Sequence, residues 1–493
     1  MLFTEPRFLF YFLPIVLAAY YLLPRAGKNA LLLAASVWFY GIGEGYYTAV
    51  VMASIVFNYF QGHFIDMKDD PKWRKQTLAF GIFVNLLLLV VFKYAAFVVD
   101  NLNLVLAAAS VHIPRPKIHL PVGISFFTFH ALSYLTDIYR REVKPMRRFD
   151  SFSLYITLFP QLVAGPIIRY KTICDQFEIA HTTPHGISRG RVHSADGFAE
   201  GVRRFILGLG KKLLIADTLA RTADAVFDVP GAGITPAAAW LGIACYALQI
   251  YFDFSGYSDM AIGLARMVGF QFPENFNYPY VARSVTEFWR RWHISLSSWF
   301  RDYLYIPLGG NRVSPRRTYL NLMTVFFLCG LWHGATWNFV LWGVFHGTFL
   351  ILERAGFGKI LEKFPRPLQH AYTLLVVLIA WVPFRADTLP HTLTFLAKMA
   401  FLAPAATADA PVALFLNNDL LIALAAGILG SMPWMPAMIS RWGRFIQTSP
   451  SPRATAAIVA GHAFELASLA AIFLTSAAAS AASTYSPFIY YRF

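Results

Sequence analysis

Apolar runs as long as a bilayer is thick recur along this chain from one end to the other, at 76–99, 369–383 and 456–479 among others. About 20 residues of helix cross the hydrocarbon core, and at that depth every backbone polar group must be bonded inside the protein. Charged residues make up only 14% of the chain and hydrophobic ones 57%, where a soluble domain has about 25% charged residues. The chain therefore reads as a polytopic membrane protein. Candidate spans lie near 7–24, 29–46, 47–65, 76–99, 118–138, 151–167, 198–225, 235–254, 318–353, 369–386, 389–403, 416–431 and 456–480. The first is expected to be retained rather than cleaved as a leader, because one basic residue precedes it, no small-x-small exit ends it and another apolar run follows at once.

Pro121, Pro160 and Pro166, with Gly123 and Gly165, interrupt the middle runs. They predict broken or re-entrant helices, which survive at membrane depth only beside protein or water. The expected fold class is all-α: one membrane domain over 1–493, with about 11–13 transmembrane or re-entrant helices. Within it, 168–197 is expected to be a surface loop, 287–317 an interfacial segment, and 318–353 a span that carries histidines.

The formal charge is +15, from 42 Lys and Arg against 27 Asp and Glu. In a soluble protein this excess would suggest nucleic acid, but here the basic residues cluster between spans, at 139–148, 189–212, 289–301 and 312–317. Such loops face the cytoplasm and its anionic lipid headgroups, so nucleic acid is not expected as a partner. Topology alone accounts for the clusters; the sharper alternative is that some arginines also receive an anionic substrate. The 168–197 loop holds His181, His185 and His193 at irregular spacing, which argues against a metal site. It leads into an expected amphipathic helix, 198–217, with Arg203, Arg204, Lys211 and Lys212 at the headgroups. Cys174, Cys245 and Cys329 have no paired spacing, so neither a disulfide framework nor a zinc site is implied.

No G-x-S-x-G, H-E-x-x-H or phosphate-loop signature occurs, so any chemistry must come from polar residues set in apolar spans. The stretch 330–347, GLWHGATWNFVLWGVFHG, holds two histidines. In an unbroken helix His333 and His346 stand roughly 20 Å apart on different faces, and they share a reacting atom only if the helix breaks. Burial favours the neutral imidazole, which can take a proton from a hydroxyl as that oxygen attacks a thioester. Gly330 and Gly334 are expected to leave room beside His333 for an acyl group, with Trp332 and Trp337 as walls. The plainer alternative is a core histidine bonded to a backbone carbonyl.

A second stretch, 287–312, sets Trp289, Trp292 and Trp299 among Arg290, Arg291, His293 and Arg301. It suits either a cationic mouth for a coenzyme's phosphates or simple anchoring at the interface. In a third stretch, 249–270, Asp253 and Asp259 need partners, for which Arg266 or a neighbouring hydroxyl is the expected choice.

Six segments together resemble the membrane-bound O-acyltransferases, and within them the bacterial branch that acetylates alginate, cellulose or peptidoglycan. They are LPVGISFFTFHALSYLTDIYR (120–140), LFPQLVAGPIIRY (158–170), YFDFSGYSDMAIGLARMVGF (251–270), FWRRWHISLSSWFRDYLYIPLGGNR (288–312), LWHGATWNFVLWGVFHG (331–347) and PFIYYRF (487–493). The resemblance implies a ring of tilted helices around a central tunnel, with His333 as the catalytic histidine and His293 as the second. His346 belongs to the same pattern in a lesser, supporting role, and supporting or donor-binding roles are also expected of Trp332, Trp337, Asn338, Arg290, Arg291, Trp292 and Asp253, the last favoured as a structural ion-pair residue. The resemblance further implies acetyl-CoA as cytoplasmic donor, no bound cofactor or metal, and residence in the bacterial inner membrane. A periplasmic SGNH-type acetyltransferase is the implied partner, and alginate the favoured acceptor over cellulose or peptidoglycan. From the residues alone the rival is a proton-coupled transporter or flippase, set apart by whether the protein turns over an acyl donor.

Overall fold

A computed structural model describes residues 1–493 apart from 164, 178–180, 183–187, 231–232, 404–408, 437, 439, 442–451, 483–487 and 489–493. His185 and all of the 487–493 motif except Phe488 lie outside the described residues. The helices are α1 (Phe8–Leu22), α2 (Lys28–Glu44), α3 (Thr48–Met67), α4 (Pro71–Ala109), α5 (Ile124–Tyr139), α6 (Phe149–Thr157), α7 (Ala195–Gly210) and α8 (Asp217–Phe227). They continue as α9 (Pro236–Met267), α10 (Val285–Arg291), α11 (Ile294–Phe300), α12 (Pro315–His333), α13 (Trp337–Leu352), α14 (Arg366–Arg385), α15 (Leu389–Met399), α16 (Asn418–Gly430) and α17 (Pro452–Ala482). A two-residue hairpin, His181–Thr182 against Ser188–Arg189, interrupts the expected 168–197 loop.

Local chemistry sets many of the helix starts. Side chains of Asp70, Ser194, Thr235, Ser284 and Ser314 accept from free N–H groups in the first turns of α4, α7, α9, α10 and α12. Each such cap stabilises its helix by about 1 kcal/mol. Pro71, Pro236 and Pro315 stand where their missing N–H costs nothing.

Among the described residues, five helical stretches are long and apolar enough to cross a membrane: Arg25–Met67, Pro71–Ala109, Pro236–Met267, Arg366–Arg385 and Ile458–Ala482. Several expected spans are shorter pieces. The run 118–138 becomes α5, buried along nearly its whole length, and 151–167 breaks at Leu158 into α6 and a single turn, Phe159–Leu162. The run 318–353 divides into α12 and α13.

The 198–217 segment is not an interfacial helix with all its cations at the headgroups. It packs on α9 through glycines: a Cβ on Gly201 would lie 2.6 Å from Gly263 O, and one on Gly208 2.6 Å from Gly256 O. Such contact lets two backbones close to van der Waals distance. It also buries cations. Lys212 Nζ lies 2.6 Å from both Asp253 and Asp217, and Lys211 lies 2.6 Å from Asp259, which also accepts from Arg204 at 2.9 Å. Arg266, expected beside Asp253 or Asp259, instead pairs with Glu200 at 3.0 Å.

Basic loops gather at one end of the bundle. Arg141 pairs there with Asp69, Lys144 with Asp66, Lys171 with Glu142 and Arg169 with Asp302. At the other end, His119 reaches Glu44 at 3.0 Å and Arg385 reaches Asp224 at 2.8 Å.

Candidate active site

The segment 330–347 is a hairpin, not a helix. Gly334 leaves the helical region with φ −163° and ψ 151°, α12 ends at His333, and α13 returns from Trp337. The glycines bring the two backbones together: a Cβ on Gly330 would stand 2.3 Å from Phe339 O, and one on Gly343 2.3 Å from Phe326 O. A Cβ on Gly334 would strike the Phe339 ring at 2.2 Å. The room expected beside His333 for an acyl group is therefore filled by α13, and the glycines serve the fold of the hairpin.

His333 is 4% exposed. Its ring meets Trp342 edge-on at 4.9 Å and Phe384 at 5.1 Å. Trp332 walls the site as expected, but Trp337 does not. It is 53% exposed, and its indole N–H donates to Asn101 Oδ1 at 3.0 Å. Once the helix folds back, Trp342 takes its place. The break also brings His346 near, with Trp342 between the two histidines and 5.0 Å from His346. His346 Nδ1 accepts from Trp289 Nε1 at 3.3 Å, a bond that places it in an aromatic stack. Asn338 Nδ2 donates to Ala386 O at 2.5 Å and ties the start of α13 to the end of α14.

His333 lines a cavity of about 320 Å³ that it shares with Trp332, Lys93, Ser125, Phe126 and Phe488, and with the segment Leu120–Gly123. The end of α12 is held from α4. Lys93 Nζ donates to Trp332 O at 2.5 Å and His333 O at 3.2 Å, and Tyr94 OH donates to Leu331 O at 2.8 Å.

His293 sits at the joint between α10 and α11, fully buried, with φ 43° and ψ 55°. This left-handed conformation costs a non-glycine residue roughly 1–2 kcal/mol. Asn275 Oδ1 accepts from Ser295 N at 3.2 Å and from Ser295 Oγ at 2.9 Å, and it lies 3.1 Å from His293 Nδ1. An atom that accepts from a backbone N–H is the amide oxygen, so His293 Nδ1 carries the proton and Nε2 is the basic nitrogen. The ring meets Phe254 edge-on at 4.6 Å and Trp332 at 6.3 Å. Trp332 thus touches both histidines.

The arginines do not surround His293. Arg291 is held by Glu287 at 2.8 Å and by Asn277 O at 3.1 Å. Arg290 is exposed and lines a separate cleft of about 540 Å³ with Arg283, Arg354 and the buried Glu353. Trp292 is buried between Phe288 and Trp381, so it is no headgroup anchor. Asp253 belongs to the Lys212 ion pair, as a structural role requires.

Sequence reading missed Asn275 and Lys93. Lys93 had a legible signal, since it is the one charged residue within 76–99. Asn275 had none, because its partners come from other elements.

A model of the membrane-bound O-acyltransferase family matches residues 116–385, which contain both histidines. The chain belongs to that family. Membrane-bound O-acyltransferases are enzymes, and this chain is an acyltransferase. It is 46% identical to a probable alginate O-acetylase of Azotobacter vinelandii over 79% of this chain and 76% of that protein. A Pseudomonas putida protein of the same description is 39% identical over the full length of both. A peptidoglycan O-acetyltransferase of Helicobacter pylori is 36% identical over 81% of this chain and 80% of that one.

Proposed function

We propose that this acyltransferase takes acetyl from acetyl-CoA on the cytoplasmic side of a bacterial inner membrane and passes it outward for O-acetylation of an exopolysaccharide, alginate first among the candidates. The observation that carries the reading is His333, buried at the end of α12 on the wall of a cavity, in a chain whose relatives are described as alginate O-acetylases. His333 is the general base. It removes the proton of an acceptor hydroxyl as that oxygen attacks the thioester carbonyl. The C–S bond then breaks, coenzyme A leaves as thiolate, and the imidazolium returns the proton to it. General-base assistance of this kind supplies about 10²–10⁴-fold in rate. His293, with its tautomer set by Asn275, relays a proton or orients the donor beside Trp332.

Arg290 opens onto the 540 Å³ cleft, where Arg283 and Arg354 stand among Glu287, Glu353 and Glu362, and it is the residue there assigned to the coenzyme's phosphates. Arg291 pairs with Glu287 and lies outside the residues that line that cleft. A periplasmic SGNH-type acetyltransferase is the partner that would hand acetyl to the polymer. Peptidoglycan is the second reading, favoured by the Helicobacter relative.

Polymer-bound acetyl measured in cells tests the assignment. His333→Ala is expected to insert at the wild-type level and to abolish acetylation. Retained acetylation in that variant overturns the mechanism.

A further inference from the structure

The run 76–99 carries a single charge in an otherwise apolar stretch, and a lysine there is expensive unless it has work to do. A lysine used for anchoring reaches along its stem toward the headgroups. Lys93 instead points inward and ends on the carbonyls of Trp332 and His333, 3.5 Å from Ser125 Oγ. Its neighbour Tyr94 takes the carbonyl of Leu331.

These three carbonyls are the ones a helix ending at His333 leaves open. The chain breaks at Gly334, whose own N–H returns to Gly330 O at 3.3 Å, so no later turn of α12 can satisfy them. The end of a helix also carries partial negative charge, which a cation complements. Lys93 and Tyr94 both stand in a π-turn of α4, Val90–Tyr94. Lys93 also lines the same cavity as His333.

We propose that Lys93 is a positioning residue for acyl transfer: its ammonium, assisted by the Tyr94 hydroxyl, clamps the terminal carbonyls of α12 and fixes the His333 imidazole at the cavity wall. This rests on His333 being the acyl-transfer base. A clamp on the base acts on turnover, and neither Lys93 nor His333 lines the cleft at Arg290 proposed to hold the coenzyme's phosphates. A guanidinium, which also donates to two carbonyls, can replace the ammonium in part.

The test uses the full-length protein in membrane vesicles with radiolabelled acetyl-CoA, comparing wild type with Lys93→Met, Lys93→Arg, Tyr94→Phe and His333→Ala. Lys93→Met is expected to lower kcat at least 10-fold while KM for acetyl-CoA stays within two-fold. Lys93→Arg is expected to recover at least a third of wild-type kcat. Tyr94→Phe, which removes one bond and keeps the ring, is expected to lower kcat about three-fold with KM unchanged; it decides the matter if Lys93→Met does not accumulate in the membrane. Wild-type kcat in both Lys93→Met and Tyr94→Phe overturns the inference, as does a loss confined to KM. Full turnover in His333→Ala overturns the proposed function instead, so the two failures are distinct.

Discussion

Replacing Gly330 by alanine sets two physical effects against each other. Alanine is the better helix former by about 1 kcal/mol, so propensity alone predicts a more stable α12. The hairpin predicts the reverse. The new Cβ would stand 2.3 Å from Phe339 O, about 1.1 Å inside an ordinary contact of 3.4 Å, and it meets backbone, which cannot rotate aside. Relief requires α12 and α13 to separate by about that distance, and overpacking of this kind costs typically 1–3 kcal/mol. His333 lies three residues further along the displaced segment. A misplacement of about 1 Å at a reacting group costs on the order of 10²-fold in rate. Polymer-bound acetyl is therefore expected to fall about 100-fold, and the melting temperature of the detergent-solubilised protein to drop. Gly347→Ala is the milder control, because its Cβ would stand 3.1 Å from Met323 Sδ and 3.2 Å from Phe326 Cβ, contacts that a shift of a few tenths of an ångström relieves. A Gly330→Ala protein with wild-type acetylation and an unchanged or raised melting temperature would refute the argument.

Asn275→Ala removes the acceptor that sets the His293 tautomer and leaves two Ser295 donors without it. Acetylation should fall about 10²-fold, and each stranded buried donor should cost about 1–3 kcal/mol; acetylation at the wild-type level would contradict a working role for that tautomer. Asp253→Asn takes one carboxylate from the buried Lys212, which keeps Asp217, and should destabilise the protein by less than the roughly 3–5 kcal/mol of a buried charge left wholly unpaired. Acetylation per inserted molecule should stay unchanged, as quantitative blotting beside the acetyl assay can check, and a selective loss of turnover would mark Asp253 as part of the chemistry.

Much of the architecture is legible from local pattern. The apolar runs locate α4, α9 and α14. His333 and His293 are legible as imidazoles placed where they are expensive, and the geometry puts both rings against Trp332. The errors share a cause. Reading 330–347 as one helix made Trp337 a wall and pushed His346 far away, and the break at 334–336, with Gly334 and Thr336 both extended, reverses both. Reading 198–217 from its own amphipathic face put Lys212 at the headgroups, when its counter-charge Asp253 lies on α9.

By itself, the chain order determined that this is a helical membrane protein, that its basic loops lie together, and which imidazoles merit suspicion, because each of these follows from residues within about a helix length of one another. The tertiary structure decided what surrounds those imidazoles. Lys93 meets the end of α12 across 239 residues, and Asn275 meets His293 only when the loop after α9 folds under α11. Hydrogen bonds and ion pairs depend on distance in space, and within a bilayer a buried polar group must find a partner wherever the fold can bring one. Local pattern marks that a partner is needed; only the packed helices show which residue it is.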